Sequence, residues 1–251
     1  MGVVAVSIPS VPRLGLVVPP ENPTAEPEFR HFLGSGMNLY TSRFPDLPGV
    51  GLREMLERYN EVLPDVLAGF GRMHLDAAVV ACSASHYLLS PDGDRKFCAE
   101  LSDRAGFPVL SSTLAILAAC EALGLTRLTL VSPYEPWLTD LSRGYWEEAG
   151  IVVDQVVPVP AGDHFNPYEV TTENILEQVR QYDLPDDAAV LFTGTGMFTL
   201  DALDKLGRGR PGRVLLSSNL ASAWWAQARF GAHGWRLEGH SLLKQPVART
   251  V

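Results

Sequence analysis

The chain has 251 residues, 46% of them hydrophobic and 20% charged, with a formal net charge of -9. That is enough apolar sequence for one large α/β domain or two small lobes, and the acidic balance disfavours nucleic acid and anionic membranes as partners. Three cysteines without paired spacing argue against a disulfide framework and for a reducing compartment.

Residues 1–15 lack the basic opening and apolar run of a signal peptide. No stretch approaches the roughly 20 apolar residues that span a bilayer, so a cytoplasmic protein is expected. The first predicted strand is Arg13–Val18, stopped by Pro19 and Pro20. A second runs over Met37–Arg43. Leu52–Phe70 reads as a helix with Leu52, Leu56, Tyr59 and Leu63 on one face, kinked or divided at Pro64. Asp76–Cys82 is a buried strand, Arg95–Ala105 a helix, Phe107–Leu110 a strand and Thr113–Leu123 an apolar helix closed by Gly124. Next come strand Leu128–Ser132, helix Trp137–Ala149, strand Ile151–Val159, helix Thr172–Tyr182 and strand Ala188–Thr193. Helix Leu200–Leu206, strand Arg213–Leu216 and helix Asn219–Phe230 complete the series, and the last twenty residues show no period.

Strand alternating with helix implies βαβ units and a mostly parallel sheet. An internal repeat sharpens this. Asp76-Ala77-Ala78-Val79 recurs as Asp187-Ala188-Ala189-Val190, and the stretch from Leu110 to Ala115 recurs as Leu216 to Ala221. Two related α/β halves result, with a ligand site between them at the carboxyl ends of their strands.

Several residues at predicted strand ends carry candidate chemistry. Cys82 lies among the small residues Ala81, Ser83, Ala84 and Ser85, where open backbone amides lower a thiol pKa and bind an anion. It reads equally as a core cysteine, and Cys98 and Cys120 read as core. After the first strand, Pro20, Asn22 and Thr24 suit carboxylate binding or a helix entry. Tyr134 offers a phenol to a carboxylate or enediolate, or packs on the sheet rim. Thr193-Gly194-Thr195-Gly196 is either an oxyanion-type turn or simply a tight one; it has neither a dinucleotide fingerprint nor a P-loop. Arg43 suits a bidentate carboxylate contact or a surface ion pair. His86, four residues past Cys82, reads as a loop histidine or a neighbour of that thiol. The six histidines show no metal-ligand spacing, and no metal or organic cofactor is expected.

Together, the proline-rich Pro19–Thr24 segment with its Asn22, Cys82, the Pro133-Tyr134 pair and the Ser217-Ser218-Asn219 helix start resemble maleate cis–trans isomerases. Pro19-Pro20 and the stretch from Gly194 to Asp201 resemble arylmalonate decarboxylase. Both belong to the aspartate/glutamate racemase superfamily, and the resemblance covers about residues 12–231. It implies two pseudo-symmetric lobes, here 12–115 with 218–251, and 116–217, around a cleft. It also implies a homodimer as the assembly.

The family's racemases and maleate isomerases use two cysteines, one on each face of the substrate. The first matches Cys82. The second falls on Thr193 or Gly194, depending on the anchor, and neither is a cysteine. A small carboxylic acid is the expected substrate. The first expectation is isomerisation of a maleate-like diacid by Cys82, with Asn22, Tyr134 and loop amides holding the carboxylate. Decarboxylation of a malonate-type acid, with Cys82 as proton donor, is the alternative. A catalytically inactive carboxylate-binding protein is a third. Gly194→Cys is expected to restore a facing pair of thiols.

Overall fold

A computed structural model describes residues 11–185, 188–209 and 212–230. The final stretch of the first-lobe assignment and Asp187 of the repeat lie outside these residues. The chain builds two four-stranded parallel sheets. The first contains β1 (Arg13–Val18), β2 (Asn38–Arg43), β3 (Ala77–Val80) and β4 (Val109–Ser111), in the order β2-β1-β3-β4. The second contains β5 (Arg127–Ser132), β6 (Val152–Pro158), β7 (Ala189–Phe192) and β8 (Leu215–Ser217), in the order β6-β5-β7-β8. The two orders are the same motif twice, as the repeat requires. β3 and β7 carry unbroken apolar runs because each is covered on both faces, the signature of a parallel sheet.

Helices flank both sheets: α1 (Ala25–Leu33), α2 (Leu52–Ala68), α3 (Ser83–His86), α4 (Ser90–Ala105) and α5 (Ser112–Leu123) in the first half. The second half adds α6 (Pro136–Glu148), α7 (Thr172–Arg180), α8 (Leu200–Gly209) and α9 (Ser218–Phe230). The repeat's Ser111-Ser112 and Ser217-Ser218 pairs mark where β4 meets α5 and β8 meets α9. α9 packs on both α5 and α1. It is buried on all sides from Ser218 to Gln227, which is why its sequence carries little amphipathic period.

Two sequence expectations change. Pro64 does not divide α2, which runs unbroken from Leu52 to Ala68. Proline costs a helix one backbone bond and a clash. Here the buried face of Leu56, Tyr59, Leu63, Val66 and Leu67 continues across it and holds both halves to the sheet. The sequence reading offers a helix entry at Asn22–Thr24 as one of two alternatives but assigns no range to α1, and gives no sign of α3. α1 starts directly after the proline-rich segment, and α3 is a single turn set by tertiary contacts.

Candidate active site

The two sheets bring four strand ends together. Pro19 follows β1, Cys82 follows β3, Tyr134 follows β5, and the turn Thr193–Gly196 follows β7. Between them lies a cleft of about 260 Å³ lined by Pro19, Glu21, Cys82, Ser83, Ala84, Tyr134, Thr195 and Gly196. Its outer wall is apolar and aromatic. α2 gives Leu52, Met55, Leu56 and Tyr59, α6 gives Leu138, and the loop before α7 gives Phe165, Pro167 and Tyr168. A larger cleft of about 480 Å³ lies between α7 and α8, with Arg180, Lys205 and Arg213 in its wall. Its described lining has no cysteine, no histidine and none of the four strand-end groups, so the smaller one is the candidate site.

Cys82 is 4% exposed at the end of a buried strand. Burial pushes its thiol above the ordinary range, and hydrogen bonding to Ser85 partly opposes this. Cys98 and Cys120 are buried in α4 and α5, as expected of core thiols. Three phenols surround Cys82. Burial raises the pKa of Tyr59, Tyr134 and Tyr168, and the nearby Cys82 adds to each shift, so all three are neutral donors at neutral pH. No Lys, Arg or His lines the cleft among the described residues. An anion there must be held by N–H and O–H groups rather than by a countercharge.

The pairing register identifies the counterpart of Cys82 in the other half. Val80 is the last β3 residue paired with β1, and Phe192 the last β7 residue paired with β5. Two residues further on stand Cys82 and Gly194. Gly194 has φ +91°, a conformation that side chains rarely adopt, and a Cβ built on it would lie 2.4 Å from the Tyr134 hydroxyl. The Tyr134 phenol therefore occupies the space where the second side chain would stand. A Cβ at Gly196 would likewise meet the Tyr168 ring at 2.5 Å. The glycines of this turn admit two tyrosine rings, and the room expected for a thiol at position 194 is taken.

Other expected binding residues do structural work. Arg43 donates to the carbonyls of Pro19, Pro20 and Asn22 and is ion-paired with Glu26. Its guanidinium clamps the loop after β1 and does not line the cleft. Asn22 is buried; its Oδ1 accepts from the backbone N–H of Thr24 and Ala25. Its Nδ2 donates to the carbonyl and hydroxyl of Thr195, both at 3.3 Å. That amide ties the first sheet to the turn of the second. Thr24 is buried at the N-cap position of α1 without a side-chain cap bond. Thr193 bonds the Tyr87 hydroxyl. Pro20, Asn22, Thr24, Arg43, Thr193 and Gly194 are not among the residues that line this cleft.

Asn22→Ala takes the acceptor from the buried Thr24 and Ala25 amides at the start of α1 and one donor from Thr195, whose carbonyl and hydroxyl keep Asn219 and Ala81. It is expected to cost about 2 kcal/mol, read as a fall in urea midpoint. Arg43→Ala, at a half-exposed ion pair, is expected to cost under about 1 kcal/mol by the same measurement.

His86 turns away from the cleft. It is fully buried, and its Nδ1 lies 2.7 Å from Asp94. Asp94 also accepts from Ser111, Thr113, Tyr145 and the Cys98 thiol. His86, Asp94 and Cys98 bring potential ligand atoms within 4.8 Å of one another, a grouping the sequence spacing does not reveal. These hydrogen bonds already engage the Asp94 carboxylate, which explains the cluster as a buried polar hub. The cleft residues that sequence reasoning misses include Glu21 and the aromatic side chains Tyr59, Phe165 and Tyr168. Tyr59 reads as part of the buried helix face, and the loop bearing Phe165 and Tyr168 has no period to mark it.

A family model described as arylmalonate decarboxylase matches residues 14–243. Among curated proteins, the chain is 24% identical to a maleate isomerase of Geobacillus stearothermophilus over 208 residues, 77% of this chain and 82% of that one. It is 25% identical to an arylmalonate decarboxylase of Bordetella bronchiseptica over 225 residues, 86% and 89% of the two chains. Among solved structures, a mutant of the Nocardia farcinica maleate cis–trans isomerase with a covalently bound succinylcysteine intermediate superposes with TM-score 0.78 at 21% identity. The match covers 88% of this chain and 94% of that one.

Proposed function

Because the chain belongs to the arylmalonate decarboxylase family, we propose that it is a cofactor-independent enzyme acting on a small dicarboxylic acid through an enediolate-like intermediate, with Cys82 as the reacting group. The observation that carries this is the position of Cys82. It is the cysteine that lines the cleft, between two strand-end turns rich in N–H and O–H donors and beside the Tyr134 phenol.

Isomerisation of a maleate-like diacid is the first form of the reading. The Cys82 thiolate adds to one carbon of the double bond, and the π electrons pass to the carboxylate on the other carbon, giving the enediolate. Rotation about the new single bond comes next. The electrons then return, the carbon–sulfur bond breaks, and the trans diacid leaves. Tyr134, Ser83 and the amides near Thr195 stabilise the enediolate. The succinylcysteine held by the Nocardia farcinica relative corresponds to this adduct once its enediolate carbon has taken up a proton.

Decarboxylation is a second reading, favoured by the apolar lining and by the raised thiol pKa. One carboxylate leaves as CO₂ from beside Leu56, Leu138 and Phe165. The bonding pair moves onto the remaining carboxylate. Cys82 then gives its S–H proton to the α-carbon, and solvent reprotonates the thiolate.

Proton NMR in D₂O with maleate and, separately, phenylmalonate tests both. Fumarate from maleate supports the first reading, and α-deuterated phenylacetate the second. Silence with both, combined with dicarboxylate binding in a thermal-shift assay, would overturn catalysis in favour of a binding role. The pH profile separates the two chemistries independently. The addition needs thiolate, which is scarce below a raised thiol pKa, so kcat/KM should rise about tenfold per pH unit through neutrality. Protonation needs the thiol, so its profile should stay level through neutrality and fall only above that pKa.

A further inference from the structure

We propose that Glu28 is a positioning residue that makes the Thr193–Gly196 turn respond to protons, through reversal of the Asn219 side-chain amide. The proposal rests on the assignment of that turn to the active site.

Glu28 lies on α1 and is fully buried, yet its carboxylate reaches into the other half of the molecule. Its Oε1 accepts from the backbone N–H and hydroxyl of Thr199 and from the N–H of Leu200, at the start of α8. Its Oε2 accepts from Asn219 Nδ2 at 2.7 Å. The same Nδ2 donates to the carbonyl of Thr195 at 3.1 Å. Thr195 in turn donates its hydroxyl to the Ala81 carbonyl, next to Cys82. One amide group therefore joins a buried carboxylate to the turn that faces Cys82.

The ionisable side chains on the elements around Glu28 are Glu26, Arg30 and His31 on α1, and Arg43 on β2. α8 carries Asp201, Asp204, Lys205 and Arg208, and α9 carries Arg229. Arg43 is paired with Glu26 and Arg208 with Asp204. The four described hydrogen bonds to Glu28 all come from neutral donors. Burial accordingly raises its carboxyl to about 7, with the bonds from Asn219 and Thr199 holding it down.

Geometry decides which oxygen takes the proton. Oε1 already accepts from three donors, so the proton enters on Oε2. An O–H there faces the Asn219 Nδ2, donor against donor. Asn219 Oδ1 is buried and has no hydrogen-bond partner among the described residues. Reversing the amide gives Oδ1 the Glu28 proton, and removes the donor from the Thr195 carbonyl. That carbonyl then keeps only the longer Asn22 contact, at 3.3 Å. The deprotonated and protonated forms thus differ in how firmly the turn is held.

The test is backbone amide NMR of the ¹⁵N-labelled full chain between pH 5.5 and 8.5, without substrate. Gly194, Thr195 and Gly196 should titrate with one midpoint near 7, going from about nine-tenths protonated-form shift one unit below it to about one-tenth one unit above. Glu28→Gln should flatten these curves. In Asn219→Ala the Glu28 carboxyl should still titrate by ¹³C NMR while the turn amides stay flat, so transmission is tested even where Glu28→Gln does not fold. Turn amides that ignore pH in the wild type, or keep the same midpoint in either variant, would overturn the proposal. Because no turnover is required, that failure is distinct from failure of the catalytic reading. A step near pH 7 superimposed on the thiol-dependent kcat/KM profile, absent from both variants, is the expected functional counterpart.

Discussion

Cys82→Ala is expected to lower kcat/KM by at least about 10³-fold while leaving the fold intact. In either chemistry the sulfur forms or breaks a bond to carbon or to the transferred proton, and losing such a group typically removes 10²–10⁴-fold in rate or more. The nearby phenols do not replace it: Tyr59, Tyr134 and Tyr168 are all raised by burial and stay protonated. The structural cost is small. The thiol is one heavy atom at a strand end, so stability should fall by about 1 kcal/mol, read by circular dichroism melting. Unchanged turnover in a folded Cys82→Ala protein would remove Cys82 from the mechanism. Cys82→Ser adds a useful contrast: it preserves size and a proton but not the nucleophilicity or acidity of sulfur.

Gly194→Cys is expected to destabilise the protein by about 2–6 kcal/mol and to abolish activity rather than add a second acid–base. Two costs add. A non-glycine residue at φ +91° is strained by about 1–3 kcal/mol. Its Cβ would also stand 2.4 Å from the Tyr134 hydroxyl and 2.9 Å from the adjoining ring carbon, and forced repacking costs about 1–3 kcal/mol. Tyr134 is 8% exposed, so its ring has little room to withdraw. Urea unfolding of Gly194→Ala, Tyr134→Ala and the double variant measures the coupling. The double variant should be less destabilised than the sum, because truncating the ring removes the clash while the backbone strain persists. A stable Gly194→Cys protein that exchanges a substrate α-proton on both faces would show that the tyrosine does not fill that space.

The clash also has a mechanistic reading. Position 194 is the register counterpart of Cys82, so the two halves, alike in topology, line the cleft with unlike groups: a thiol from one and a phenol from the other. The proposed chemistry uses one thiol and hydrogen-bond donors, and does not need a matched pair.

The amino-acid sequence by itself determined the architecture. Alternating strands and helices, and the repeat linking Leu110–Ala115 to Leu216–Ala221, are local patterns. Both survive into the structure as paired sheets of like order. It also determined that Cys82, Tyr134 and the Thr193–Gly196 turn stand just past strand ends, because proline, glycine and small polar residues mark where a strand stops. What only the tertiary structure decided are contacts between residues distant in the chain. Arg43 looks available for a carboxylate, but three carbonyls of the β1 loop and Glu26 claim it. Gly194 looks like open space, but Tyr134, from the end of a different strand, fills it. Glu28 carries no motif at all, and it bonds Asn219 across 191 positions. Periodicity reports which face of an element is buried. It carries no record of which distant side chain arrives to share that burial, and in this site those arrivals decide which groups remain free to meet a substrate.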